Sequence, residues 1–508
     1  MKKTIAFGIL LYVLNPWMGS ASAASCESLA SLKLPDTTIT LAQTVQAGAF
    51  APPAVGLRAG AGNFPNPYRA LPGFCRVAAT LKPSADSDIK IEVWLPESGW
   101  NMKFQAVGNG GWTGSIPYQA LAVGVQRGYA TAGTDTGHEG GSGSFALGHP
   151  EKLTDFAYRA VHEMTVKAKS IIDAYYGSNP KYSYWNGCSS GGKQGLKEAQ
   201  RFPNDFDGII AGAPAAYWTH LTASAAWVGQ AVNRTESSYI PPAKYGLIHN
   251  AAINACDADD GVKDGVIDDP KKCKFDPKVL QCKADDGSDC LTAGQVETAR
   301  VMYSPVVNPR TKQELFPGFE AGSEMGWNIV ASRQPTSLGI DHWKYVVFKD
   351  PNWDYKTMDF DKDIALGDKL DNGAINAIDP NLTSFFSHGG KLLQYHGWAD
   401  PLITPQSSVD YYNSVLKTMG GAGKVNDSYR LFMVPGMGHC AGGDGPANFD
   451  MLSALEQWVE KGSAPAAIPA AHLSNGKPDR TRILCPYPQA ATYKGSGDPN
   501  DAANFVCK

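Results

Sequence analysis

The chain has 508 residues, 43% of them apolar and 19% charged, with 54 glycines and 34 prolines, a mixture that excludes a disordered chain, a coiled coil or a collagen-like repeat. That length exceeds one compact core, so a large domain carrying a substantial insertion, or roughly two to three domains, is expected. Lys+Arg total 45 against 49 Asp+Glu, a net charge of −4 with no basic block, which argues against a nucleic-acid or anionic-membrane surface.

Lys2 and Lys3 precede an apolar run from Ile5 to Leu14, followed by Ala21-Ser22-Ala23. This order of charge, apolar run and small residues predicts a secretory signal peptide over 1–23, with the mature chain beginning near Ala24 and residing outside the cell or in the periplasm. The run is too short to span a bilayer, so membrane insertion is not expected. All ten cysteines lie beyond it: Cys26, Cys75, Cys188, Cys256, Cys273, Cys282, Cys290, Cys440, Cys485 and Cys507. An even number in an exported chain predicts up to five disulfides, whose connectivity the spacing leaves open. There is no C-x-x-C, and so no support for a zinc ribbon or a thioredoxin-like site.

Alternation of Ile89, Ile91, Val93 and Leu95 with Lys90, Glu92 and Trp94 predicts a half-buried strand. A short strand at Lys103–Val107 runs into the glycine-rich turn 108–111. Phe156, Ala160, Met164, Ala168, Ile171 and Tyr175 have helical spacing, ended by Gly177. A strand Tyr182–Asn186, a helix Gly191–Phe202 and a buried strand Gly208–Ala211 follow. From 215 to about 385 no sustained period is visible. Order returns with a strand Lys391–Tyr395, a helix near Ser407–Met419, a strand Tyr429–Val434 and a helix near Asn448–Lys461. Strands alternating with helices predict an α/β fold, a mostly parallel sheet covered on both faces. Its first part spans 24–214 and its second 386–508, with 215–385 as an inserted domain.

Gly187-Cys188-Ser189-Ser190-Gly191 is a G-x-S-x-G between a predicted strand and a predicted helix, where a sharp turn projects a nucleophilic serine. A serine hydroxyl needs a base oriented by a carboxylate. In the chain order of that fold class, Asp400 follows the strand ending at Tyr395 and His439 follows the strand ending at Val434. His396 reads as a structural histidine, Asp444 as a competitor that comes too late in the chain, and His138 as a pocket-lining residue. Two backbone N–H groups are needed to hold an oxyanion. Ser190 and, from the 108–111 turn, Gly111 are the candidates. Separately, residues 257–268 interleave carboxylates with glycines in a way that suits a hard, oxygen-seeking cation. Asp257, Asp260 and Asp264 would supply side chains, and Val262 and Val266 carbonyls, in a structural Ca2+ site.

These motifs, with Arg201-Phe202-Pro203, Asp207-Gly208-Ile209, Ala211-Gly212-Ala213-Pro214, Pro435-Gly436-Met437-Gly438-His439-Cys440, Leu484-Cys485-Pro486-Tyr487-Pro488 and Tyr493-Lys494-Gly495-Ser496-Gly497, resemble the tannase/feruloyl esterase family over nearly the whole mature chain. The resemblance implies an α/β-hydrolase core with a calcium-holding lid. The family's CS-D-HC arrangement falls on Cys188-Ser189, Asp400 and His439-Cys440, and its calcium loop on 257–266. It also implies the pairs Cys26–Cys75, Cys188–Cys440, Cys256–Cys273, Cys282–Cys290 and Cys485–Cys507. The implied activity is a serine carboxylic ester hydrolase acting on small aromatic esters attached to plant cell-wall polysaccharide or polyphenol. Feruloyl and other hydroxycinnamoyl esters come first, galloyl esters second and mono(hydroxyethyl) terephthalate third. Against the last stand Ile403, where the terephthalate pocket has an aromatic, and Arg333, which does not align with the arginine that reads a free carboxylate. The rival from another class is a catalytically silent polyphenol- or carbohydrate-binding protein.

Overall fold

In a computed structural model the structure describes residues 1, 24–53, 67–284 and 286–508. The expected signal peptide at 1–23 therefore lies almost wholly outside the described residues. Nine strands form the main sheet: β1 (Thr37–Val45), β2 (Phe74–Leu81), β3 (Ile89–Pro96), β4 (Lys103–Val107), β5 (Ala130–Thr134), β6 (Tyr182–Cys188), β7 (Gly208–Gly212), β8 (Lys391–Gly397) and β9 (Tyr429–Val434). Their order is β1-β2-β3-β5-β4-β6-β7-β8-β9. The first three pairings are antiparallel and the five from β5 to β9 are parallel. This is the α/β architecture expected from the alternation of elements.

Helices α1 (Tyr118–Gln126), α2 (Ala160–Tyr176) and α3 (Ser190–Arg201) belong to the first part of the chain. The α2 stripe Val161, Met164, Ala168 and Ile171 packs in one apolar cluster with Val77, Ile91, Phe104 and Trp185. Gly177 ends the helix at φ 72°, the left-handed conformation that glycine adopts without a Cβ penalty.

Between β7 and β8, which are hydrogen-bonded neighbours from Lys391↔Gly208 onward, the chain leaves the sheet for 213–390. This stretch is more regular than the sequence indicated. It contains α4 (Trp218–Val232), α5 (Tyr245–Cys256) and α6 (Ala293–Tyr303), and two apolar clusters centred on Trp327 and Trp343. In the second part lie α7 (Gln406–Met419) and α8 (Met451–Lys461). Leu455 and Trp458 of α8 cover the other sheet face, with Tyr184, Ile210, Leu393 and Phe432. The helix expected to start near Asn448 starts later. Asn448 and Phe449 instead pair with the strand Ile468–Ser474, and the Asp450 carboxylate accepts the Ser453 N–H at 3.0 Å as an N-cap.

Five disulfides join Cys26–Cys75, Cys188–Cys440, Cys256–Cys273, Cys282–Cys290 and Cys485–Cys507, the pairs that the resemblance implies. Among the described residues no helix is long and apolar enough to cross a membrane.

Candidate active site

Ser189 sits between β6 and α3 at φ 65°, ψ −123°, a conformation that non-glycine residues hold only when their surroundings impose it. The surroundings are glycines. A Cβ on Gly187 would lie 2.5 Å from the Gly191 carbonyl oxygen, and one on Gly192 would lie 2.3 Å from that of Gly212. The Ser189 N–H donates to the Gly212 carbonyl at 2.9 Å, so β7 braces the turn from the side. Ser190 is the first residue of α3, and its N–H is one of those that a helix start leaves without an intrahelical acceptor.

The loop after β4 lies against this helix start. A Cβ on Gly108 would be 2.5 Å from Gly191 Cα, and the Asn109 N–H donates to Gln194 Oε1 at 3.1 Å. Asn109 Nδ2 donates to the Thr134 carbonyl at 2.8 Å and locks the loop to β5. Gly111, at φ 50°, thereby lines the same cavity as Ser189. His138 does not line that cavity. Its Nε2 is 2.7 Å from the Trp112 carbonyl oxygen, and its ring stacks 3.7 Å from Phe145. It supports the loop from behind.

Asp400 follows β8 and is wholly buried. Its Oδ1 accepts N–H groups from Leu402 at 2.8 Å and Ile403 at 2.9 Å, which fixes the carboxylate plane. Its Oδ2 lies 2.7 Å from His439 Nδ1 and 3.1 Å from His396 Nε2. Burial pushes the carboxyl up, but hydrogen bonds from His396 and His439 outweigh it and hold Asp400 well below the usual carboxylate range. An ionised carboxylate only accepts, so His439 carries a proton on Nδ1, and it is the neutral ring that offers Nε2 as an acceptor. The Cys188–Cys440 bridge, with Cα atoms 6.1 Å apart, ties the residues adjacent to Ser189 and His439 together. The His439 imidazole is thus paired with an ionised carboxylate, on a segment bridged to the chain beside Ser189.

The cavity over Ser189 is apolar. Trp218, Leu221 and Val228 of α4 line it, together with Phe319, Leu338 and Ile403. The α4 residues escaped the sequence reading, although Leu221, Ala225 and Val228 carry helical spacing.

The family model described as "Tannase and feruloyl esterase" matches residues 75–508. The chain belongs to the tannase and feruloyl esterase family. An uncharacterised esterase of Xanthomonas campestris is 37% identical, over 96% of this chain and 92% of its own length. A probable feruloyl esterase B-2 of Neosartorya fischeri is 38% identical over 85% and 86%. Among solved structures, feruloyl esterase B from Aspergillus oryzae superposes with a TM-score of 0.89 at 33% identity, covering 95% of this chain and 99% of that one. Tannin acyl hydrolase from Aspergillus niger gives 0.77 at 25%, covering 94% and 92%. This member of the tannase and feruloyl esterase family is a carboxylic ester hydrolase, which removes the catalytically silent binding protein as a reading.

In this family member the 257–268 loop is shaped from within. Asp257 Oδ1 accepts N–H groups from Asp264 at 3.1 Å, Gly265 at 3.0 Å and Val266 at 3.3 Å. The Val262 N–H donates to Asp260 Oδ1 at 2.9 Å. Arg482 and Arg480 face Asp264. Neither Asp260 nor Asp268 forms a contact ion pair among the described residues, although the Arg482 charge lies near Asp268. Burial and then the Asp260 and Asp264 charges push Asp268 well up, and burial raises Asp260 also.

Two other residues sit away from the serine. Arg333 donates to Glu236 Oε2 at 2.9 Å and stacks 4.3 Å over Tyr239 on the surface, outside the cavity lining. Asp444 lies 3.3 Å from His249 Nε2, whose Nδ1 is 3.0 Å from Glu324. Hydrogen bonds to Asp444 and Glu324 raise His249 to about 9. A group raised on folding stabilises fully below its unfolded value of about 6.5 and loses that effect as pH rises through about 9. The melting-temperature gap between wild type and His249→Gln is therefore expected to close between pH 6.5 and 9. A gap constant across that range would show that His249 acts by packing alone.

Proposed function

We propose that the chain is an exported serine esterase whose preferred substrates are feruloyl and related hydroxycinnamoyl esters. Ser189 Oγ attacks the ester carbonyl as His439 Nε2 takes its proton, and Asp400 stabilises the imidazolium. The Ser190 and Gly111 N–H groups receive the oxyanion. Collapse expels the alcohol with the proton from His439. Water, deprotonated by the same nitrogen, then releases the acid and restores Ser189.

The observation that carries the substrate class is the apolar cavity on Ser189, in which Trp218, Phe319 and Leu338 suit a planar aromatic acyl group. Besides Ser189, its lining residues carry the hydroxyls of Thr222, Ser224 and Thr336 and the indole N–H of Trp218, and no charged side chain lines it among the described residues. Each buried hydroxyl left without a partner costs about 1–3 kcal/mol, which disfavours a trihydroxylated galloyl ring relative to a feruloyl ring. A free carboxylate, as on mono(hydroxyethyl) terephthalate, would meet no cation there. With methyl ferulate, methyl gallate and mono(hydroxyethyl) terephthalate as substrates, kcat/KM is expected to fall in that order. Gallate turned over fastest would make the chain a tannase and sink the preference. The plant cell-wall or polyphenol origin of such esters and residence outside the cell or in the periplasm belong to the same proposal.

The 257–268 loop fits a structural Ca2+, since the half-buried carboxylates of Asp260, Asp264 and Asp268 crowd one another and, among the described residues, only Arg480 and Arg482 approach the cluster as cations. Asp260, Asp264, Asp268 and the Val262 and Val266 carbonyls would hold it, with Asp257 shaping the loop. The ion would neutralise the loop and supply no chemistry at Ser189. Chelation, with metal loss verified, is expected to lower the melting temperature and to open 215–385 to protease before the sheet unfolds. Unchanged melting and proteolysis would remove the site from the account.

A further inference from the structure

We propose that His162, Glu198 and Asp205 form a binding site for a divalent transition-metal ion, Zn2+ by its donor set, at the far end of the helix that carries the nucleophile. His162 projects from α2, Glu198 from the last turns of α3, and Asp205 from the turn between α3 and β7. Each offers a ligand atom, and these atoms all lie within 4.8 Å of one another. His162 Nδ1 is 2.6 Å from Asp205 Oδ2, and the imidazole is held in plane by stacking on Phe202 at 3.8 Å and 9°.

The decisive residue is Glu198. It is 1% exposed, and neither carboxylate oxygen has a hydrogen-bond partner. A buried carboxylate without a donor or counter-charge is strongly disfavoured, so it must take either a proton or a cation. The nearby ammonium of Lys169 acts on it only at a distance: its Nζ donates to the backbone carbonyl of Asp205 at 2.5 Å and forms no contact ion pair with Glu198. A proton would be enough if only two carboxyls met here. The third group is an imidazole turned to the same point, and one nitrogen with two carboxylate oxygens is a donor set that suits Zn2+. Partial exposure of the His162 and Asp205 side chains, 29% and 13%, leaves an entry from solvent and room for a water as fourth ligand. Glu198 is nine residues beyond Ser189, about 13 Å along the helix axis, so the ion would clamp α2, α3 and the turn into β7 without touching substrate.

The test uses the full chain, stripped with a chelator and returned to excess Ca2+ so that oxygen-only sites are filled. Zn2+ is then added and unbound metal removed by gel filtration. Wild type is expected to retain roughly one Zn2+ per chain and to melt higher with it, with kcat on methyl ferulate unchanged. In the Co2+ form it should show visible ligand-field absorption. Glu198→Gln and His162→Gln should each weaken retention by about 100-fold and abolish the Zn2+-dependent rise in melting temperature. If Glu198→Gln fails to fold, His162→Gln, at a partly exposed ring, decides alone. No retained Zn2+ in wild type would overturn the proposal and leave a carboxyl–carboxylate hydrogen bond between Glu198 and Asp205. Equal retention in the His162→Gln variant would overturn it too.

Discussion

Ser189→Ala is expected to lower kcat on a chromogenic aryl ester by about 10⁶-fold, and His439→Ala by a similar factor. Asp400→Asn should cost about 10⁴-fold, because an amide at that position no longer holds Nδ1–H toward the carboxylate side and the imidazole takes the wrong tautomer. The three act as one proton-transfer unit, so the Ser189→Ala/His439→Ala double variant should lose little more than either single one. Circular dichroism and melting curves would check that the fold survives. Asp400 is the sharpest case, since its Oδ1 also accepts the Leu402 and Ile403 N–H groups and its Oδ2 receives His396 as well as His439. Near-wild-type turnover in Asp400→Asn would show that the orienting acid is elsewhere. Asp444, placed on His249, offers no substitute.

Cys188→Ala/Cys440→Ala should reduce both stability and activity, and activity beyond what unfolding accounts for. The bridge closes a loop of 252 residues, so by the loop-closure model its removal costs about 5 kcal/mol, less any native strain. Below the lowered melting temperature the variant should still be folded, yet its kcat should fall, because Ser189 and His439 stand on separate loops whose spacing this bond helps hold. Full turnover in the folded double variant would assign the bridge to stability alone. Peptide mapping that found Cys188 and Cys440 as free thiols would remove both effects.

What was legible in the sequence follows from how burial maps onto residue type. β3 buries Ile89, Ile91, Val93 and Leu95 as the alternation indicates, but it buries Glu92 and Trp94 as well, so the strand is covered on both faces and not half-buried. β5 is Ala-Thr-Ala-Gly-Thr, buried on both faces and built of small residues, so it carries no alternation. α4 buries eleven of its fifteen residues, polar ones among them. Thr219 and His220 are satisfied by Asp368 from another segment, so polarity there does not mark the exposed face. The nucleophile turn was legible because close approach admits only glycine at defined offsets from Ser189. The Glu198 cluster was not, since its members lie 36 and 7 residues apart and meet only in the fold, where His162 of α2 stacks on Phe202 and bonds to Asp205. The disulfide partners were open on spacing alone and were indicated only by the family pattern.

The departure of 213–390 from between two hydrogen-bonded neighbours, β7 and β8, has a consequence for inheritance. Ser189, Asp400 and His439 stand on turns that the sheet itself positions, whereas Trp218, Leu221, Val228, Phe319 and Leu338 come from the excursion. Lineages can therefore rewrite the excursion, its length included, without disturbing the register of a single strand. A new acyl group would then be accommodated mostly on one contiguous stretch of gene, Gly111, Leu402 and Ile403 excepted, while the strands that place Ser189, Asp400 and His439 are passed on intact.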